Sequence, residues 1–262
     1  MLNKLKKHVT LALIFIFAFL GQGLSHAEST DPTLKKVQDK GVLTVGLSAD
    51  YAPYEFHATV DGKDKIVGMD IDIAQKIADD MGVKLKVEEY GFDALIGALK
   101  TGKIDMIISG MSPTPERLKE VDFSDPYMTV EQRVVVRKSD AGKYDDINSL
   151  QGLKVGAQKQ STQEELSINE LQADTVSLQR LPDIMMQLQN NKIEGAVIEG
   201  PVAEAYISQN SALAFSDIKF EDGTKQTAVA IPKDSTEFAD SINQSIKEVL
   251  DEDLMSGYKE EA

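Results

Sequence analysis

The residues best suited to chemistry lie in one segment, SGMSPTPER (residues 109–117). An apolar run ends at Ser109 and Gly110. The residues that follow include small residues, hydroxyl groups such as that of Ser112, and the guanidinium of Arg117. Thr114 followed by proline is typical of a helix N-cap and first helical residue. Unpaired N–H groups at a helix start attract anions, and arginine can bind a carboxylate through two parallel hydrogen bonds. The segment is therefore predicted to bind a carboxylate, with an ordinary surface arginine as the alternative.

Further polar and aromatic residues follow other predicted strands, where open α/β sheets bind their ligands. They are Ser48 and Tyr51 after the first strand, Phe92 at the start of a helix, Gln158, Ser161 and Thr162 before another helix, and Glu199 at the end of a buried strand. Ser161 and Glu164 have the spacing of a capping box, which is compatible with anion binding at the same helix start. Packing in the core is an equally good interpretation of the two aromatic residues.

Glu199 is expected to need a partner, because an unpaired buried acid is costly. A ligand ammonium or a protein lysine would meet that need. Arg117, Ser112 and Thr162 would bind an anion, Glu199 a cation, and Tyr51 would form part of an aromatic wall. A zwitterion such as an α-amino acid fits this combination, because its two opposite charges lie close together.

The chain that must position these residues alternates between short β-rich runs and helical patterns, which predicts an α/β fold with a parallel sheet. Strands are predicted at 43–47, 84–88, 105–109, 133–137, 154–157, Gly195–Glu199 and 227–231. Helices are predicted around Ile71 to Met81, around Leu95 to Leu99, from Thr162, around 184–188, and along a final apolar face of Phe238, Ile242, Ile246, Val249 and Leu250.

Two lobes fit this order better than one. The first lobe is predicted to comprise residues 33–128 and 228–262, and the second lobe residues 129–227. The chain would cross between the lobes near 129–133 and near 226–228, and such paired crossings can act as a hinge around a cleft.

The N-terminus has the features of a secretory signal peptide. Three lysines precede an apolar run over residues 9–20, and Ser25, His26 and Ala27 follow it. This run of twelve residues is shorter than the about 20 that span a bilayer, so removal of residues 1–27 is expected, with an uncleaved anchor as the alternative. The chain has no cysteine, which excludes a disulfide framework and a lipid-modified cysteine. We expect an exported protein, in the periplasm or at the outer face of the cytoplasmic membrane, that is not a lipoprotein.

Charge excludes other classes of partner. Loss of the three lysines would move the net charge from −15 to −18, which makes nucleic acid and anionic membranes poor partners. His57 is the single histidine after residue 27, and no Ser, His, Asp constellation or metal-ligand spacing is present. We therefore expect no cofactor, no metal and no catalysis.

Several runs give a family resemblance: ADYAPYEF (49–56), VGMDIDIAQKIA (67–78), SGMSPTPERLKEVDFSDPY (109–127), AQKQSTQEE and AVIEGPVA (196–203). The chain resembles the family 3 extracellular solute-binding proteins of polar amino-acid ABC importers, which have the two-lobed type II periplasmic binding fold. The resemblance implies that Arg117, Ser112 and the backbone of Thr162 hold the α-carboxylate. It also implies that Gly110 and Glu199 take the α-ammonium, and that Tyr51 and Phe92 enclose the side chain.

The chain departs from the family pattern at a few positions. Ser48 replaces an aspartate that binders of basic ligands often use, Glu199 replaces a frequent aspartate, and Gln160 stands where glycine is common. The tail from Gly257 lacks the usual aromatic ending.

The expected function is to capture a free L-amino acid and deliver it, as a monomer, to the membrane permease subunits of an ABC importer. Neutral Ser48 and Gln158 favour a polar uncharged ligand such as glutamine, whereas the aromatic pair and the acidic surface leave basic amino acids open. The alternatives are a lyase similar to cyclohexadienyl dehydratases, with Glu199 as its catalyst, and an amino-acid sensor.

Overall fold

The computed structural model describes residues 31–254, in which strands and helices alternate. The strands are β1 (Val42–Leu47), β2 (Asp50–Tyr51), β3 (Glu55–Val60), β4 (Lys63–Val67), β5 (Lys84–Glu89), β6 (Met106–Ile107), β7 (Asp122–Arg137), β8 (Lys154–Gln158), β9 (Asp174–Leu178), β10 (Gly195–Glu199), β11 (Leu213–Phe215) and β12 (Thr224–Ile231). The helices are α1 (Pro32–Lys40), α2 (Met69–Asp80), α3 (Leu95–Lys100), α4 (Thr162–Asn169), α5 (Leu181–Gln189), α6 (Gly200–Gln209) and α7 (Thr236–Asp251). The predicted signal peptide and the tail from Gly257 lie outside these residues. No helix within 31–254 combines the length and apolar character of a membrane span.

The main sheet is mixed rather than wholly parallel. Its strand order is β5-β1-β6-β12-β7-β10-β8-β9, with β11 added to β7, and β2-β3-β4 form a separate small sheet. Parallel pairs occupy both flanks, β5-β1-β6 on one side and β10-β8-β9 on the other. The central pairs β6-β12, β12-β7 and β7-β10 are antiparallel. The prediction of parallel strands is therefore right at the flanks and wrong at the centre.

Strand β7 joins the two flanks. Its residues from Asp122 to Glu131 pair with β12, and the next residues, from Gln132 onward, pair with β10. The predicted strand 133–137 is only the last part of this 16-residue strand. The change of partner falls inside the crossing predicted at 129–133. The pairing of β12 with β7 changes register on both sides of Ala228, which lies at the second predicted crossing. The lobe boundaries themselves stay a prediction.

Helical periodicity located the buried faces to within one residue. Helix α2 buries Ile73, Ala74, Ile77 and Ala78, whereas Ile71 and Met81, the two residues that marked the predicted helix, are only half-buried. In α7 the predicted face is buried, with one exception, since Leu250 is 47% exposed. Each helical residue is rotated by about 100° from its neighbour, so a position adjacent to the buried Val249 turns out toward solvent.

Gly68 joins the small sheet to α2 and cannot readily be replaced. Its φ angle is 122°, and a Cβ atom there would lie 2.3 Å from the carbonyl oxygen of Tyr54. We expect Gly68→Ala to lower the free energy of unfolding by about 1–3 kcal/mol, as measured by urea denaturation. The control is Gly97→Ala in α3, where a Cβ meets nothing within 4 Å. That change should stabilise slightly because alanine is the better helix former. Equal stability of the two variants would contradict this account of Gly68.

Candidate functional site

Ten of the eleven predicted site residues line one cavity. Its lining consists of Ser48, Tyr51, Glu55, Phe92, Ser109, Gly110, Ser112, Arg117, Gln158, Thr162, Gln163 and Glu199. The walls lie close together, because the space open to the centre of a water molecule is only about 10 Å³. A ligand larger than water would therefore need the walls to part.

The predicted helix after Thr114 is a single 3-10 turn at Arg117–Lys119. The Thr114 hydroxyl accepts the Arg117 N–H at 3.3 Å, as an N-cap would, and the Thr114 carbonyl accepts the Leu118 N–H at 2.9 Å. The chain then leaves the turn and reaches β7. The prediction of a helix from Pro115 is thus wrong, and so is an anion site based on a helix dipole here, because three residues align too few peptide dipoles. Anion attraction rests on the guanidinium.

The Arg117 guanidinium lies inside the cavity and joins its two sides. It sits over the Phe92 ring, 5.3 Å from the centroid. Nη1 donates to the carbonyl of Ser112 at 2.8 Å, and Nη2 donates across the cleft to the carbonyl of Gln160 at 2.9 Å. Burial lowers the pKa of Arg117 to about 10, so the group still carries its charge at neutral pH.

The second side of the cavity is the start of α4. Ser161 is its N-cap: the Oγ accepts the Glu164 N–H at 3.1 Å and donates to the carbonyl of Gln158 at 2.6 Å. The Glu164 carboxylate accepts from the N–H of Gln160 at 2.6 Å, one residue before the position that a capping box would predict. Ser161 is buried and shapes the turn, but it is the one predicted site residue outside the cavity lining. Thr162 lines the cavity at the helix start.

Glu199 ends β10 with only 1% of its surface exposed. Burial raises its pKa to about 8, although the nearby polar side chains of Tyr54, Gln132 and Gln163 favour the charged form. The Gln163 amide lies 3.4 Å from Oε1, whereas Oε2 has no partner among residues 31–254. No ion pair of the described chain includes Glu199. The described residues therefore give Glu199 one neutral donor, and one carboxylate oxygen remains open to a cation.

Gly110 adjoins that open oxygen, since a Cβ placed on it would lie 3.9 Å from Oε2 of Glu199 and 3.7 Å from the Tyr51 ring. Tyr51 in turn stacks on the fully buried Tyr54, with ring centroids 5.8 Å apart. Tyr51 is thus both a core residue and a wall of the cavity, so the two interpretations of the sequence do not exclude each other.

Sequence reasoning missed two lining residues, Glu55 and Gln163. Glu55 is fully buried and stands four residues after Tyr51 in the run ADYAPYEF, so the signal was its closeness to predicted site residues. Gln163 is buried in the first turn of α4, where its amide contacts Tyr51, Gln132 and Glu199. Its neighbour Thr162 was predicted, and Gln163 itself gave no separate signal.

His57 lies apart from the candidate site. The ring of His57 contacts Asp64 at 2.9 Å and Glu89 at 3.1 Å near the protein surface, away from the cavity lining. Across residues 31–254, no cluster of three or more histidine, cysteine or acidic side chains could hold a metal ion.

Asp50, in the segment predicted to form the first lobe, contacts the start of helix α5. Helix α5 begins at Leu181 after Arg180, whose side chain does not cap it. The Leu181 N–H instead donates across the cleft to Asp50 at 3.1 Å, and Ser48 donates to the other carboxylate oxygen at 3.2 Å. A capping acceptor typically stabilises a helix start by about 1 kcal/mol, and here the acceptor lies in the segment that is predicted to form the other lobe.

We therefore expect Asp50→Ala to shift the ligand-free protein toward an open cleft, and Asp50→Asn, which keeps an acceptor, to do so less. The chain has no cysteine, so spin labels on Lys84→Cys and Gln189→Cys would report the distance between the lobes by pulsed electron paramagnetic resonance. Identical distance distributions for the Ala and Asn variants would show that the cap does not hold the cleft closed.

Comparison with known proteins agrees with this geometry. The sequence profile of the bacterial extracellular solute-binding proteins, family 3, matches residues 43–260. The arginine-binding extracellular protein ArtP of Bacillus subtilis is 36% identical over 248 residues, 92% of this chain and 91% of its own. The ABC transporter arginine-binding protein 1 of Escherichia coli is 30% identical over 247 residues, 92% of each chain.

Solved structures show the same fold. The amino acid ABC transporter substrate-binding protein AbpA of Streptococcus pneumoniae, bound to L-arginine, superposes with a TM-score of 0.84 at 37% identity, over 87% of this chain and 96% of its own. The ancestral amino acid-binding protein AncCDT-1, a precursor of cyclohexadienyl dehydratase, superposes with a TM-score of 0.79 at 32% identity, over 87% of this chain and 98% of its own. The two-lobed fold expected from the resemblance is confirmed. The chain belongs to the bacterial extracellular solute-binding proteins of family 3.

Proposed function

We propose that this protein is the extracytoplasmic binding component of an ABC importer, and that it captures a free basic L-amino acid, with L-arginine as the first candidate. The observation that carries the proposal is that Arg117 and the open oxygen of Glu199 lie in the same cavity. In one cleft, a guanidinium can bind the α-carboxylate of an amino acid, and a carboxylate can bind its α-ammonium.

Charge around the cavity supports a basic ligand over an uncharged one. The acids Glu55 and Glu199 line the cavity together with a single cation, Arg117. A third acid, Asp70, accepts from Gly110, next to the Ser109 that donates to Glu55. With one proton shared between Glu55 and Asp70, and with Glu199 ionised, the three acids carry two negative charges against the one positive charge of Arg117. A zwitterion with a neutral side chain adds no net charge, whereas a basic amino acid adds one positive charge and offsets the excess of carboxylates. Buried charges are stable only when they are paired.

The relatives support the same choice. Two of those described above are named as arginine-binding proteins, and AbpA was crystallised with L-arginine. A probable histidine-binding protein of Campylobacter jejuni, 32% identical, and an L-cystine-binding protein of E. coli, 27% identical, show that the family also serves other amino acids. Arginine is therefore a proposal for this chain.

A second candidate function is catalysis in the same cavity. The likeness to AncCDT-1, whose name marks it as a precursor of an enzyme, favours it, as does the Glu199 pKa of about 8, which suits a general acid. Against it, the cavity holds a buried guanidinium that bridges both sides of the cleft. Such a group is needed to capture an anion, whereas proton transfer does not need it. We therefore propose that the protein is a monomeric binder without catalytic activity that delivers its ligand to membrane permease subunits after export.

A thermal-shift screen of the twenty L-amino acids tests the ligand class. A ligand at 100 times its dissociation constant stabilises by about 2.7 kcal/mol, so L-arginine should give the largest rise in Tm. Agmatine, which lacks the carboxylate, and D-arginine serve as controls and should give little. Turnover of prephenate or arogenate by the purified protein would favour the enzyme instead, and a larger shift with L-glutamine than with L-arginine would overturn the basic ligand class.

A further inference from the structure

Two acids with no water-exposed surface lie at the cavity, where Glu55 is part of the lining and Asp70 is not. Glu55, at the start of β3, and Asp70, in the first turn of α2, are both 0% exposed. Asp70 accepts hydrogen bonds from the backbone N–H of Gly110 and from the hydroxyl of Tyr127, each at 3.0 Å. Glu55 accepts one from the Ser109 hydroxyl at 2.5 Å. The pair therefore contacts the two residues that follow β6 and line the cavity.

The two acids have no cation. Among residues 31–254, neither takes part in an ion pair, and Oε2 of Glu55 and Oδ1 of Asp70 have no donor. The two acids accept from neighbouring residues, Ser109 and Gly110, so the negative charge of one acts on the other. Two buried like charges this close are strongly unfavourable, and the pair therefore holds one proton.

The remaining titratable groups around the pair do not supply a positive charge. Those that act on it are Asp50 in β2, Glu199 in β10, Tyr54 before β3 and Tyr127 in β7. Burial is the main cause that raises the pKa of Glu55 well above its usual range, and it raises that of Asp70 to about 6. The proton of the pair therefore belongs on Glu55, which leaves Asp70 as the anion.

We propose that Asp70 is a positioning residue of the ligand site, which holds Gly110 by its N–H, and that a protonated Glu55 is the partner that keeps Asp70 in place. Gly110 has a φ of 55° and adjoins the open oxygen of Glu199. The N–H bond to Asp70 fixes the peptide plane between Ser109 and Gly110, since that plane is rigid. The ligand part of this proposal rests on the function proposed above.

The decisive variant is Glu55→Gln, because glutamine reproduces a protonated glutamate. Its carbonyl can accept from Ser109, and its amide can donate to Asp70 at any pH. We expect the Kd for L-arginine to stay within about threefold of the wild type. Asp70→Ala, which releases Gly110, should raise that Kd at least tenfold in calorimetric titration while the circular dichroism spectrum stays the same.

The pH dependence of ligand-free stability tests the proton on Glu55 without any ligand. A carboxyl group whose pKa is raised on folding stabilises the protein fully below its unfolded pKa, and this stability is lost as the pH rises toward the folded pKa. Asp70 and Glu199 contribute in the same direction to both proteins. The Tm of the wild type should therefore fall more steeply from pH 5 to pH 8 than that of Glu55→Gln, with several degrees between them at pH 8.

Parallel Tm curves for the two proteins would contradict a proton on Glu55. A Kd raised thirtyfold or more in a folded Glu55→Gln protein would instead show that Glu55 meets the ligand as an anion, and would overturn its assignment as the partner of Asp70. A wild-type protein that binds no amino acid would contradict the proposed function, whereas the comparison of Tm curves would still decide the state of Glu55.

Discussion

Replacing Arg117 with alanine should remove the high-affinity binding of L-arginine. Arg117 is only 9% exposed, and both terminal nitrogens of its guanidinium already donate within the cavity. Without it, a bound carboxylate would be buried with no cation, and the loss of one partner of such a pair costs about 2–5 kcal/mol. Calorimetric titration should therefore show a Kd that is weaker by a factor of about 30 to several thousand.

Two further variants separate charge from geometry. Arg117→Lys keeps the charge but not the planar fork, so its affinity should fall between those of the wild type and the alanine variant. Lys119→Ala, an exposed cation in the same turn, should bind like the wild type. Wild-type affinity in Arg117→Ala would refute the assigned role.

Glu199→Gln should have the second largest effect, because it removes the carboxylate that lines the cavity and has an open oxygen beside Gly110. We expect a loss of about 2 kcal/mol or more at pH 8. The wild type should also bind more weakly as the pH falls. With a ligand-free pKa of about 8, Glu199 must release a proton to pair with an ammonium, so affinity should fall by up to about tenfold per pH unit below 8.

In Glu199→Gln this part of the pH dependence should disappear. Glu204→Gln, on the exposed face of the following helix α6, is the control and should retain both affinity and pH profile. Titrations in two buffers with different ionisation enthalpies count the released protons. If the wild type releases none at pH 6–7, Glu199 is not the group that receives the ammonium.

The position of the site could be predicted from the sequence to a large extent, because its residues stand at the ends of strands. Ser109 and Glu199 each end an apolar run, and the sheet brings such ends to one place. The contacts between the lobes could not be predicted. The bond from Arg117 to Gln160 and the cap of Asp50 on Leu181 join residues 43 and 131 positions apart, and local patterns carry no information on such pairs.

Fold prediction failed mainly where local patterns compete with pairing. The antiparallel centre of the sheet depends on β7 and β12, and the predicted strand 133–137 captured only the end of β7. The hairpin of β3 and β4 was missed, although Asp61 and Gly62, both with positive φ, form its turn. Such an Asp-Gly pair is a recognised hairpin signal. Thr114 did act as a cap, yet the turn after it ended once the chain had to enter β7.

Calorimetric titration of the purified mature protein with L-arginine at pH 8 tests the central claim most directly. The account predicts one ligand per chain with micromolar or tighter Kd, and at least a tenfold weaker Kd for L-glutamine. Absence of binding by L-arginine, L-lysine and L-histidine alike, in a protein that unfolds cooperatively, would contradict it.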